Sequence, residues 1–326
     1  MSSIRGRDEG FSDDIAEIEA GAMLQRQSGL GPRGVRKLLD HWGTASAVCS
    51  RSPLELARIL ERDPASIEAA RREVDRRAVR RSIGEARRRG VRFLPWSCPR
   101  YPTLWRGMSD PPAQVGVLGR IECLSSRPVV AVVGSRRAGA VAIDQAVRFA
   151  SAFAEAGWTV CSGGARGVDA AAHRACLRRG SATIAIMGSG LGVAYPPEHD
   201  ELFREIAESG GAVVSEHEFD ALPHARHFPV RNRLVAGLSI GVLVVEAGPR
   251  SGALITARLA VEDYGREALV VPGRADTGRN AGGHRAIREG WATLVDAPDQ
   301  ALELLDSQGG LCRLVETRGD RDPDFN

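Results

Sequence analysis

The chain has 326 residues and a formal net charge of only +3, from 44 Lys plus Arg against 41 Asp plus Glu. That length accommodates a large α/β domain with a smaller companion, and no apolar run approaches the ~20 residues of a spanning helix. Six cysteines (Cys49, Cys98, Cys123, Cys161, Cys176, Cys312) lack C-x-x-C pairing, which argues against a zinc site or a disulfide framework and for reduced thiols in a cytoplasmic protein.

Residues 1–14 are polar, unlike a signal peptide, and read as a disordered tail. Residues 15–92 read as a small helical domain. Within it, Gln27-Ser28-Gly29-Leu30-Gly31-Pro32 separates two helical patterns. The turn resembles a helix-hairpin-helix module, whose amides hold a nucleic-acid phosphate, but it reads equally as a plain turn with Pro32 in the first helical turn. Ala65–Arg92 carries a dense arginine series interleaved with Glu68, Glu73, Asp75 and Glu85. Those spacings allow helical ion pairs and favour a solvated face over a nucleic-acid stripe. Residues 93–127 form a proline-punctuated connection with strands at Val91–Leu94 and Ala113–Leu118.

Residues 128–298 repeat a strand, a glycine loop and a helix. Val129–Val133 is an apolar, β-branched strand ending in Gly134-Ser135-Arg136, and a helix follows from Val141 to Ala156. Trp158–Cys161 is the next strand, ending in Ser162-Gly163-Gly164-Ala165-Arg166-Gly167. Further strands are predicted at Thr183–Met187, Ala212–Val214, Ile240–Val245 and Ala268–Val271. Helices are predicted at Glu198–Glu208, Phe228–Leu238, Ser251–Tyr264, Gly283–Glu289 and Pro298–Leu305. This pattern specifies an α/β fold, an extended Rossmann-like, doubly wound and mostly parallel sheet. The tail at 299–326 is too short for a winged helix.

Glycine and arginine loops at the carboxyl ends of parallel strands point to a phosphate-bearing ligand. Lys37 is the sole lysine and lies outside this unit, which excludes a Walker lysine or a Schiff-base lysine there. A dinucleotide site fails too, because G-x-G-x-x-G and the acid after the second strand are both missing. What remains is an anion groove around Arg136, Arg166, Arg231 and Arg233. No clustered metal ligands are present and no cofactor is expected.

The motifs Gly134-Ser135-Arg136, Ser162 to His173, Tyr195-Pro196, Ser215-Glu216, Phe228-Pro-Val-Arg231-Asn232-Arg233, Glu246, Ser251 to Thr256 and Pro272-Gly273 occur in the order of the DprA/Smf family. The chain resembles that family from about Gly29 to Pro298. The resemblance implies a Rossmann-like domain preceded by a small helical, SAM-like domain. It also implies a non-enzymatic single-stranded DNA binder that protects incoming strands and loads the RecA recombinase in transformation, as a homodimer and without a membrane. By this resemblance Gly134, Ser135, Arg136, Gly163, Gly164, Arg166, Phe228, Arg231, Asn232 and Arg233 belong to the DNA groove. Phe228 either stacks a base or packs in the core, and Asp169, His173 and Glu246 brace the loops.

Three positions depart from the family pattern. Ala225 replaces a frequent lysine, so Arg226 is expected to supply the cation; Arg274 follows Pro-Gly in place of serine; and the chain after Leu305 is short. The rival reading is a Rossmann-like nucleotide phosphoribohydrolase of the lysine-decarboxylase-like type, to whose catalytic glutamate and glycine loop Glu246 and Gly248-Pro249-Arg250-Ser251-Gly252 are only distantly analogous.

Overall fold

The run Val129–Val133 forms β3, and each of its residues is buried. A computed structural model describes residues 14–307; the tail predicted over 1–14, apart from Asp14, and the part of 299–326 beyond residue 307 lie outside the described residues. The chain divides into two units, one built from residues up to Tyr101 with Ser109–Val117, the other from Pro102–Met108 and the chain from Leu118 onward.

The first unit is helical because polar caps punctuate short amphipathic runs. Asp14 caps α1 (Ile15–Arg26), accepting from the Ala16 and Glu17 amides. After α2 (Gly31–Trp42) and α3 (Ala45–Cys49), Ser52 and Glu55 close a capping box on α4 (Pro53–Leu60). Asp63 caps α5 (Pro64–Arg72) and Asp75 caps α6 (Arg76–Arg88), each satisfying amides a new helix leaves open. The arginine series therefore spans two helices, broken at Glu73–Asp75. Its arginines pair on the surface, Arg80 with Glu19 at 2.9 Å and Arg88 with Glu85 at 2.5 Å. Such pairs are worth only ~0–1 kcal/mol each.

The Glu17 carboxylate is buried and accepts from the Ala45 and Ser46 amides, both at 2.8 Å, holding the start of α3. At the Gly29 turn, Arg62 donates to the Gly29 carbonyl and Ser28 donates to Glu73 at 2.7 Å. The Gly29 carbonyl and the Ser28 hydroxyl are thus engaged within this helical unit. β1 (Arg92–Pro95) pairs antiparallel with β2 (Gln114–Gly119), Arg92 opposite Val117 and Pro95 opposite Gln114.

The second unit begins with α7 (Thr103–Arg106), whose buried Trp105 donates to the Leu234 carbonyl at 3.0 Å. After β3 come α8 (Ala140–Glu155), β4 (Thr159–Ser162), α9 (Val168–Arg178), β5 (Thr183–Ile186), α10 (Asp200–Glu208) and β6 (Ala212–Ser215). Then follow α11 (His227–Leu238), β7 (Gly241–Val244), α12 (Gly252–Glu262), β8 (Glu267–Val270), α13 (Ala281–Arg288) and β9 (Thr293–Leu294). Residues 298–307 are helical. The strands lie in the order β6-β5-β4-β3-β7-β8-β9 and run parallel throughout. Predicted and observed elements differ mainly by a residue or two at their ends, where assignments are least determinate. The predicted helix from Glu198 opens as a 3₁₀ turn at Pro197–His199 before α10, and α7 and β9 were not predicted.

Phe149, Phe153 and Trp158 pack with Val130, Val132 and Val160 in one core cluster, and Phe203 and Ile206 with Ala185 and Val213 in another. Burying each aromatic contributes roughly 1.5–3 kcal/mol. The topology then fixes the site. From β3 the chain crosses to β4 on one side, whereas β7 lies on the other. Loops leaving adjacent β3 and β7 diverge, and the crevice between them is where such sheets bind ligands.

Candidate nucleic-acid interface

A groove of about 1000 Å³ occupies that crevice. Its walls come from the loops after β3, β4 and β7 and from the start of α11. It brings together Gly134, Ser135, Arg136, Gly163, Phe228, Arg231 and Asn232 of the expected residues. Arg166 lines a smaller adjoining recess with Tyr195 and Pro196.

Arg136 is exposed and makes no ion pair among the described residues; its guanidinium carbon sits 5.3 Å from the centre of the Phe228 ring. Phe228 is half-buried in the first turn of α11. Gly188 makes this position possible, since a Cβ there would come within 2.9 Å of the ring. Tyr195 tilts against the same ring, centroids 5.3 Å apart at 46°. Asn232, one helical turn on from Phe228, donates to the Gly252 carbonyl at 3.3 Å and ties α11 to the start of α12. The Ser135 hydroxyl accepts from the Arg137 amide at 3.2 Å, which leaves its proton free to donate.

Arg231 forms part of the groove floor. It is 4% exposed, and its Nη1 donates to the Gly163 carbonyl at 2.5 Å and to the Ile186 carbonyl. Burial pushes its pKa below the ordinary guanidinium value, while Asp169 opposes that shift. Asp169 is buried and accepts from the Gly163 and Ala165 amides at 3.1 and 3.2 Å. Burial raises its pKa, and Arg231 and those amides counter the rise. Gly163 thus has its amide and carbonyl engaged internally. Its contribution is space, because a Cβ would collide with Arg231.

Arg233 requires a correction. It is 4% exposed, pairs with Glu216 and does not line the groove. Two residues along a helix turn a side chain by roughly 200°, so Arg231 and Arg233 of one motif face opposite ways. Gly164 is buried against Phe203, away from the groove. Arg226 is exposed but outside the lining, which Ala225 and Pro223 supply instead. Arg166 is exposed and ion-paired to Glu198.

His173 is fully buried, its Nδ1 2.8 Å from Thr183 Oγ1, while that hydroxyl donates to the Val160 carbonyl at 2.7 Å. The ring must therefore donate from Nδ1, and burial holds it neutral with a pKa of about 3. Glu246 is 8% exposed at the end of β7, beside the start of α8. Among the described residues no group of three or more His, Cys, Asp or Glu is arranged to hold a metal, and no helix is long and apolar enough to cross a membrane.

Sequence reasoning missed Arg137, Arg250, Tyr195 and the rest of the Gly248–Thr256 wall. The available signal was a repeat: Gly248-Pro-Arg250 follows β7 as Gly134-Ser-Arg136 follows β3.

Fold and groove together define a Rossmann-like protein with an arginine-lined cleft at its topological switch point. The family described as DNA recombination-mediator protein A matches residues 92–306. Protein Smf of Escherichia coli K12 is 36% identical over 269 residues, 82% of this chain and 70% of the relative. The DNA processing protein DprA of Bacillus subtilis is 30% identical over 269 residues, 82% of this chain and 89% of the relative. Among solved structures, DprA from Streptococcus pneumoniae superposes with a TM-score of 0.74 at 31% identity, covering 86% of this chain and 95% of that one. DNA processing protein A from Helicobacter pylori, described for its single-stranded DNA binding mode, gives 0.58 at 29% identity over 63% of this chain and 93% of that one. The chain belongs to the DNA recombination-mediator protein A family, the DprA/Smf proteins.

Proposed function

We propose that this protein binds single-stranded DNA in the groove between the β3 and β7 loops, acting in DNA processing during transformation. The observation that carries the reading is the unpaired Arg136 cation beside the Phe228 ring at the switch-point crevice. An arginine neutralises phosphate with a bidentate fork, an aromatic face accepts any base, and together they bind a strand with little sequence preference. Ser135 donates to a phosphate oxygen, Asn232 and Gly134 shape the wall, and Arg231 and Asp169 hold the β4 loop. Arg166, paired with Glu198, lines the adjoining recess. The Helicobacter pylori relative's described single-stranded DNA binding supports the ligand class.

In this reading the bound strand is protected and the RecA recombinase is loaded onto it, with the protein working as a homodimer and not as an enzyme. Glu246 lies outside the groove lining, which weighs against a glutamate-dependent nucleotide hydrolase. The test is a gel shift on single- and double-stranded DNA, a RecA assembly assay on the same single strands, and sedimentation of the free protein. A nucleoside-monophosphate turnover assay completes it. Turnover abolished by Glu246→Gln would transfer the protein to the enzyme class.

A further inference from the structure

The groove does not end the positive surface. In the parallel sheet β4, β3, β7 and β8 are neighbours in that order, so their carboxyl-end loops lie side by side. Each carries arginine: Arg166 after β4, Arg136 and Arg137 after β3, Arg250 after β7, Arg274 and Arg279 after β8. Adjacent strands are ~4.8 Å apart, so this row spans roughly 14 Å along the sheet edge.

One contact ties the β8 loop to the β3 loop, and two more fix it to the ends of β7 and β8. Arg279 Nη1 donates to the Arg137 carbonyl at 3.0 Å, crossing the end of β7. Asn280 is buried, accepts from the Ala247 amide at 2.9 Å and donates to the Val271 carbonyl at 2.8 Å, which pins the loop to the ends of β7 and β8. Arg137 and Arg250 are exposed on the groove rim and make no ion pair among the described residues. Arg274 differs, because it is paired with Asp276 at 2.6 Å. The acceptor of the Arg279 bond is a neutral carbonyl. Three guanidinium groups are thus gathered at one rim, with the Glu246 carboxylate, 8% exposed, on the Arg279 side beside Gly139.

We propose that Arg137, Arg250 and Arg279 form a phosphate-binding ledge that continues the single-stranded DNA track out of the groove, across β7 toward β8. The ledge rests on the groove reading above. It takes the backbone of nucleotides beyond those held at Arg136 and Phe228, and it reads no base.

The test is fluorescence anisotropy of the full chain with oligothymidylates from about 4 to about 16 nucleotides, the span of site sizes for such binders. Wild type gains affinity with length until the ledge is filled. Arg250→Ala and Arg279→Gln each remove about tenfold of the affinity for the long oligomer and lower its salt slope by about 0.7. Arg279→Gln, outside the groove lining, leaves the shortest oligomer bound within about twofold of wild type. Long-oligomer binding equal to wild type, or equal losses at every length, overturns the ledge. If Arg279→Gln lowers thermal stability, Arg250→Ala decides through the gain in affinity from the shortest to the longest oligomer, which the ledge predicts to shrink; its side chain is exposed on the groove rim. Failure of the groove reading shows separately, as Arg136→Ala binding every length like wild type.

Discussion

The guanidinium of Arg136 stands 5.3 Å from the centre of the Phe228 ring, joining a loop after β3 to the first turn of α11. These residues are 92 positions apart in the chain, and only the sheet brings them together. One supplies a cation and the other an aromatic face, the two elements a single strand requires at neighbouring points.

Arg136→Ala should weaken single-stranded DNA binding by about 1.5–3 kcal/mol, the worth of a charge-assisted hydrogen bond. Thermal stability should hold, because the side chain is exposed and unpaired among the described residues. Anisotropy titration with a parallel melting curve checks both. Arg136→Lys should recover only part of the affinity, since lysine keeps the charge and loses the planar fork.

Phe228 divides stacking from packing. Phe228→Leu keeps apolar bulk beside Gly188 but removes the flat face, so binding should fall by ~1–3 kcal/mol per stacked base while melting changes little. A large drop in melting temperature with unchanged binding would assign the ring to packing alone. Tyr195→Leu, one ring further along, should show a smaller loss in the same direction.

Arg231 and Arg233 should behave as structural residues. Arg233→Ala breaks a buried pair with Glu216, for which about 3–5 kcal/mol of stability is expected to disappear. Arg231→Ala leaves the Gly163 and Ile186 carbonyls without their donor and should also lower stability, by about 1–3 kcal/mol or more. Denaturant melts measure both. The folded fraction of Arg233→Ala should bind DNA with near wild-type affinity, whereas Arg231→Ala should lose affinity because it loosens the groove wall.

Ala225 lines the groove and Arg226 does not. Ala225→Lys should therefore tighten binding and steepen the salt slope by about 0.7, one further phosphate neutralised. Arg226→Ala should matter less than Arg136→Ala. Equal losses for those two alanine variants would restore Arg226 as the substitute for the missing lysine.

The architecture was legible because most strands of 128–298 are short buried apolar runs that lead into glycine loops; β9, two exposed residues, carried no such signal. The site was legible as far as single loops: Gly134-Ser135-Arg136 and Phe228 announced themselves by residue type. Strand order was not, since no local signal says that β7 rather than β4 flanks β3 on the groove side. Arg250, which follows β7, was missed for that reason. Arg233 was misplaced because its partner Glu216 lies after a different strand, and an isolated arginine in a motif reads as a free cation. The break between α5 and α6 was written in Asp75, a cap hidden within a run of arginines.

The most direct test of the central claim compares the affinity of the full chain for one sequence in single- and double-stranded form across a salt series. The account predicts preference for the single strand, a slope of roughly −0.7 per neutralised phosphate, and a shallower slope for Arg136→Ala. Equal affinity for the duplex, or binding indifferent to salt, would contradict it.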